Sequence, residues 1–228
     1  MRRTFVVGDI HGAYRALRQC LERSAFNFRE DHLICLGDVC DGWPETKPCI
    51  DLLLEVKNLT YILGNHDTWA LDWMKTGTIH DVWYAQGGEA TILSYTDEVP
   101  VRHRLFLEKA VPYYLVDNKL FVHAGIDPLR PLEEQDNSTF LWDRNLARTV
   151  MEFHLKKIEG KLTTYREVYL GHTPVPYAQP LHWGDVYLMD TGAGWSGVLS
   201  MMDIDTKEVF ASDAVPSLYP GIKGRVKR

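Results

Sequence analysis

Val7-Gly8-Asp9-Ile10-His11-Gly12, Leu36-Gly37-Asp38-Val39-Cys40-Asp41-Gly42 and Leu63-Gly64-Asn65-His66-Asp67 are three versions of one construction. In each, an apolar run meets a small residue and then Asp, Asn or His. Val122-His123-Ala124-Gly125 and Leu170-Gly171-His172-Thr173 repeat the pattern in the second half of the chain. Any one of them alone reads as ordinary strand-end capping and turn chemistry. Five strand ends built alike predict convergence on one spot.

The surrounding sequence supports that geometry. Residues 4–7, 32–36 and 59–63 read as strands, with helical patterns over 14–26, about 46–57 and near 68–75. This β-loop-α rhythm predicts parallel strands joined by crossover helices. In such sheets ligands collect beyond the carboxyl ends of the strands. Residues 80–110 read as mostly helical, packed down by Trp69, Trp73 and Trp83.

From Tyr113 the pattern turns to β. Runs 113–116 and 120–123 flank an Asp117-Asn118 hairpin turn. A helix is expected near 146–158, and further strands over 168–170, 186–189, 198–202 and 209–211. No repeat or linker divides the chain, so one domain spans 1–228 with its core over about 4–211. The tail 216–228, rich in Pro, Gly and basic residues, is expected to be loosely attached, with Arg225 to Arg228 in solvent.

Composition narrows the function classes. The chain has 228 residues, 45% hydrophobic and 25% charged, which suits a folded domain with a full core. A net charge of −6 disfavours broad, sequence-blind nucleic-acid binding, which needs clustered Lys and Arg. Cys20, Cys35, Cys40 and Cys49 show no CxxC spacing and read as buried reduced thiols. The N-terminus reaches Gly8-Asp9 too soon to hold a signal peptide's apolar segment. No run approaches the roughly 20 apolar residues of a membrane span. A cytoplasmic location is the default expectation.

The clusters carry metal chemistry. Asp9 and His11 are two apart, so in extended backbone both point to one side and can hold one ion. Asp38 can bridge two ions with its two carboxylate oxygens. Asn65, His123 and His172 complete the second. This donor mixture suits Mn²⁺, Fe or Zn²⁺ and not a thiolate site. Two such ions about 3.5–4 Å apart can activate a water and clamp an in-line displacement. Two divalent ions, two carboxylates and one hydroxide leave a charge of about +1, so the site attracts an anion such as phosphate. His66, directly after Asn65, is placed to protonate a leaving oxygen, with Asp41 orienting it.

At these residues the sequence resembles the phosphoprotein-phosphatase family of calcineurin-like metallophosphoesterases, especially its short bacterial and bacteriophage members. The family pattern is GDxHG, GDxVDRG, GNHE or GNHD, then an HAG-type and a GH-type histidine. The likeness runs over about 4–211. It implies an α/β (α+β) fold, with two mixed sheets packed as a sandwich and flanked by helices. It also implies a dinuclear centre, Mn²⁺ first with Fe or Zn as alternatives, and hydrolysis without a covalent phosphoenzyme. The metal roles carry over to Asp9, His11, Asp38, Asn65, His123 and His172, and the acid role to His66 with Asp41.

There is one departure. Where the family has Arg-Gly after the second Asp, this chain has Gly42-Trp43. The family's other phosphate-binding arginine matches Arg144, for which a salt bridge with Asp143 is the plainer alternative. Half of a two-arginine clamp is thus expected. Trp43 is open to two readings, stacking on a base or packing over its loop. Asp67 either supports a ligand or caps a helix. The stretch 190–194 reads as a turn closing the pocket wall, and His32, His80, His103, His154 and His182 fall outside every motif.

The leading function is a phosphomonoesterase acting on phosphorylated Ser or Thr of proteins or peptides, or on small phosphoesters. The alternative is a nucleotide hydrolase splitting dinucleoside polyphosphates or phosphodiesters, favoured by the missing arginine and by Trp43. A protein that binds phosphate without cleaving it is the third reading. The complete ligand set with His66 counts against it.

Overall fold

The computed structural model describes residues 2–225 of the chain. β1 (Thr4–Val7), α1 (Tyr14–Arg23), β2 (His32–Cys35), α2 (Thr46–Leu54) and β3 (Asn58–Tyr61) form the first third. α3 (Asn65–Thr76) follows. α4 (Asp81–Trp83) then passes through a π-type turn (Tyr84–Gly88) into α5 (Glu89–Ser94), ahead of α6 (Val101–Glu108). The second half holds β4 (Tyr113–Val116), β5 (Lys119–Val122), α7 (Asn137–Trp142), α8 (Asn145–Lys156), β6 (Glu167–Leu170), β7 (Leu181–Trp183) and β8 (Val186–Leu188). β9 (Ser200–Asp203), β10 (Val209–Ala211) and α9 (Val215–Leu218) complete the order.

The strands make two five-stranded mixed sheets, β10-β9-β1-β2-β3 and β4-β5-β6-β8-β7. β1, β2 and β3 run parallel, as do β5, β6 and β8, with antiparallel strands at the margins. Side chains alternate across each strand with period two, and here both faces are buried. Val6 and Ile34 meet Phe121, Tyr169 and Tyr187 in a core between the sheets. Phe5, Val7, Leu33 and Cys35 face the opposite way, toward Leu17 of α1 and Ile50 of α2. Leu120, Val122, Val168 and Leu170 face outward against Leu146 and Val150 of α8. The strands therefore read as continuous apolar runs, and the sandwich flanked by helices is the fold class expected from the resemblance. In the central layer Phe121, Tyr169 and Tyr187 stack in a column, with ring centroids 4.7 and 4.8 Å apart.

Asp117 and Asn118 turn between β4 and β5 with φ of 49° and 58°, the left-handed pair that a tight hairpin requires. β7 and α7 lie outside the elements expected from sequence. Each is too short to show a period. The tail departs from expectation more strongly. Tyr219 is buried and stacks on Trp43 at 5.0 Å, and the Arg225 amide donates to Gly194 O at 2.8 Å. Residues 216–225 are thus bound to the body and not loosely attached, because Trp43 gives Tyr219 an apolar seat. Residues 226–228, the rest of the expected solvated end, lie outside the described residues.

Candidate active site and metal centre

The parallel strands of both sheets end toward the same edge of the sandwich, and the five polar clusters meet there. The ligating atoms of Asp9, His11 and Asp38 lie within 4.8 Å of one another, as do those of Asp38, His123 and His172. Asp38 is common to both groups. Asn65 joins through its Oδ1, 2.9 Å from His123 Nε2. All six residues are buried.

Backbone strain builds this arrangement. His11, Asp38, Asp41 and His172 all have positive φ, at 50°, 52°, 73° and 60°. Such values cost free energy for residues other than glycine and persist where the surroundings hold them. His11 therefore reaches Asp9's neighbourhood through a left-handed turn after β1, not through the strand alternation expected from their spacing. Gly64 is required by close approach: a Cβ there would sit 2.1 Å from Asp38 Oδ1.

The imidazoles are held from behind. His11 Nδ1 donates to Cys40 O at 2.9 Å and His123 Nδ1 to Leu36 O at 2.7 Å, which turns each Nε2 lone pair into the cluster. His172 Nε2 is buried and has no hydrogen-bond partner among the described residues. A buried polar atom without a partner costs roughly 1–3 kcal/mol, and a cation removes that cost. Burial pushes the carboxyls of Asp9 and Asp38 well up, and neighbouring acids (Asp190 and Asp38 on Asp9, Asp67 on Asp38) push them further. Burial also holds the imidazoles down, that of His123 to about 3. Crowded carboxylates and imidazoles kept neutral are a donor set for divalent cations.

His66 sits beside the cluster, its ring centroid 5.1 Å from that of His11. Its Nδ1 lies 2.6 Å from Asp41 Oδ2. Asp41 also accepts from Trp83 Nε1 at 2.9 Å and from Thr91 Oγ1 at 2.8 Å. Burial raises the Asp41 carboxyl to about 7 while these donors pull it down, and burial lowers His66. Burial thus favours the uncharged form of each group, and the short Nδ1–Oδ2 contact ties the two together. Thr91 and Trp83 escaped the sequence reading as site residues. Their only signal was a Trp in a helical stretch, which packs more often than it hydrogen-bonds.

Asp67 does both things considered for it. Its carboxylate accepts from Gly64 N at 3.0 Å at the start of α3. It also accepts from Asp38 N at 2.8 Å, Val39 N at 3.0 Å and Tyr61 Oη at 2.7 Å. The loop that presents Asp38 is thereby pinned to α3. Arg144 makes no ion pair with Asp143; its Nη1 donates to His172 O at 2.8 Å and Thr173 Oγ1 at 3.1 Å. Asp190, after β8, is the polar residue of a sixth strand end, buried beside Asp9 and raised by burial to about 6. Trp43 cannot stack on a ligand. It is buried, and its Nε1 donates to Ala193 O at 2.7 Å. Four of the remaining histidines have hydrogen-bond partners elsewhere, His32 at Thr60, His80 at Asp72, His103 between Tyr95 and Asp51, and His182 at Gly184 O.

A fold in which two mixed sheets deliver paired carboxylates, imidazoles and an amide to one edge defines a class of metal-dependent phosphoesterases. The chain belongs to the calcineurin-like phosphoesterase family, whose description matches residues 2–197. It is 26% identical over 212 residues to serine/threonine-protein phosphatase 1 of Salmonella typhimurium, covering 89% of this chain and 92% of that protein. It is 25% identical over 270 aligned positions to a symmetrical bis(5'-nucleosyl)-tetraphosphatase of Pseudomonas fluorescens, covering 91% and 93%. The crystal structure of a candidate diadenosine tetraphosphatase superposes with a TM-score of 0.68 at 19% identity, covering 92% of each chain. The protein is a metallophosphoesterase, a hydrolase of phosphoesters. No helix among the described residues is long and apolar enough to cross a membrane.

Proposed function

We propose that this chain is a dinuclear phosphomonoesterase acting on phosphorylated Ser or Thr of proteins or peptides, with Mn²⁺ as its working metal. The observation that carries the reading is the Asp41–His66 pair beside two ligand groups that share Asp38. Asp9, His11 and Asp38 would hold one ion, and Asp38, Asn65, His123 and His172 the other. Ions there supply Lewis-acid charge for a phosphate and for the water that attacks it.

The chain's own residues do the rest. Asp41 fixes the His66 ring through Nδ1, so that Nε2, on the opposite side of the ring, is the atom that donates a proton to the leaving oxygen. Asp41 then shares the remaining charge, stabilised by Trp83 and Thr91. Arg144, anchored on His172 O, keeps donors free for a phosphate oxygen.

A second reading, hydrolysis of dinucleoside polyphosphates, is favoured by the relative of that name and by Trp142. That ring is 43% exposed and packs edge-on to Trp69 at 5.2 Å, beside His172. The support once drawn from Trp43 is gone, since that ring is buried. The test compares kcat/KM for a phosphoserine peptide and for diadenosine tetraphosphate, with Mn²⁺ restored to stripped protein. At least tenfold preference for the peptide is expected; the reverse preference transfers the assignment to nucleotides.

A further inference from the structure

We infer that Arg225, carried back from the tail beyond α9, is a phosphate-gripping residue of this site and acts opposite Arg144. The inference rests on the phosphoesterase reading and adds a residue to it. Position 42, where the resemblance expects an arginine, is glycine, and the Arg225 side chain passes over it. A Cβ on Gly42 would lie 3.0 Å from Arg225 Cγ, and a Cβ on Gly87 3.2 Å from the same atom. Two glycines thus line the path of one side chain.

Backbone contacts fix the approach. The Arg225 amide is bonded to Gly194 O, and Gly224 lies so close to Trp43 that a Cβ would sit 2.7 Å from its ring. Trp43 in turn seats Tyr219, over whose ring Arg15 lies at 4.6 Å. Gly42 and Trp43 therefore act as a unit. The tryptophan anchors the returning tail, and the glycine leaves room for its arginine.

The guanidinium is poised for an anion. Nε donates to Gln86 O at 3.2 Å, on the π-type turn, and the group lies 4.5 Å over the Trp195 ring. Nη1 stands 3.2 Å from His11 Nε2. Among the described residues Arg225 makes no ion pair with any carboxylate, and neither does Arg144. His11 Nδ1 is already committed to Cys40 O, so a cation in the cluster would take the Nε2 lone pair that Nη1 uses. Nη1 then loses its acceptor, and a phosphate oxygen is the natural replacement for a half-buried charged donor.

Calorimetry of inorganic phosphate binding to the Mn²⁺-loaded full chain tests this, alongside Mn²⁺ binding to stripped protein and p-nitrophenyl phosphate kinetics. Arg225→Ala should weaken phosphate binding by roughly tenfold or more and raise KM similarly. Mn²⁺ affinity should not fall, since Arg225 supplies no ligand and its Nη1 must leave His11 Nε2 before an ion binds there. Arg225→Lys should recover part of the loss, and Lys223→Ala, at an exposed neighbour in the tail, should show no loss. Unchanged phosphate affinity in Arg225→Ala would reduce Arg225 to packing. Tighter Mn²⁺ binding with faster turnover in that variant would make it a plug over the first ion and overturn the proposal. Failure of the phosphoesterase reading looks different: the wild-type protein itself would neither bind phosphate nor turn over ester, and the inference would fall with it.

Discussion

On the His66 flank of the site the buried polar groups are matched; on the His172 flank they are not. Asp41 takes donors from His66, Trp83 and Thr91, and Asp67 takes them from Asp38 N, Val39 N, Gly64 N and Tyr61. Across the cluster, among the described residues, His172 Nε2 is buried without a partner and Arg144 is held only through a carbonyl and a hydroxyl. One flank is complete as a protein structure, whereas the other has donors and lone pairs left over for a cation and an anion. Stability and affinity should therefore separate by flank when residues are replaced.

Asp38→Asn should do the most damage, because Asp38 belongs to both ligand groups. Metal analysis should find at most one ion retained and activity at background. Two tightly held ions in that variant would end the shared-ligand assignment. His66→Asn comes next, with kcat lowered by roughly 10²–10⁴-fold and metal content unchanged. Full activity would remove His66 from the acid role.

Asp67→Asn probes the matched flank. An amide there presents N–H groups to backbone N–H groups, so urea unfolding of the ion-free protein should show a loss of about 2–4 kcal/mol. His172→Ala sharpens the contrast. In ion-free protein it should cost less than half as much, since it removes an imidazole nitrogen with no partner. The rise in Tm on adding Mn²⁺ should nonetheless shrink markedly. Equal apo losses for the two variants would break the comparison. The smallest effect is expected for Trp83→Phe, which deletes one of three side-chain donors to Asp41. It should lower kcat by about three- to tenfold at nearly constant KM.

Much of the site was legible because its chemistry is local. An apolar run followed by a small residue and an Asp, Asn or His can be read wherever it occurs; Asp9, Asp38, Asn65 and His172 each terminate such a run, and His123 ends one directly after Val122. Parallel order followed from the β-loop-α spacing. Asp190 was read only as part of a turn closing the pocket wall, because Met189 runs straight into it without the glycine that precedes Asp9, Asp38, Asn65 and His172.

What the sequence determined by itself was residue type at strand ends and, through the family resemblance those residues carry, the expectation of the sandwich, the candidate donor set and the class of reaction. The tertiary structure alone decided which distant groups complete the site. Thr91 lies 50 positions from the Asp41 it supports, and Arg225 lies 214 from the His11 it touches. Neither separation leaves a period or a motif. Gly42 looked like a lost arginine in one dimension, but the packed tail passes a different arginine over that glycine. A local signal records what one segment does for itself; side chains that meet only after the chain has folded back leave no such trace.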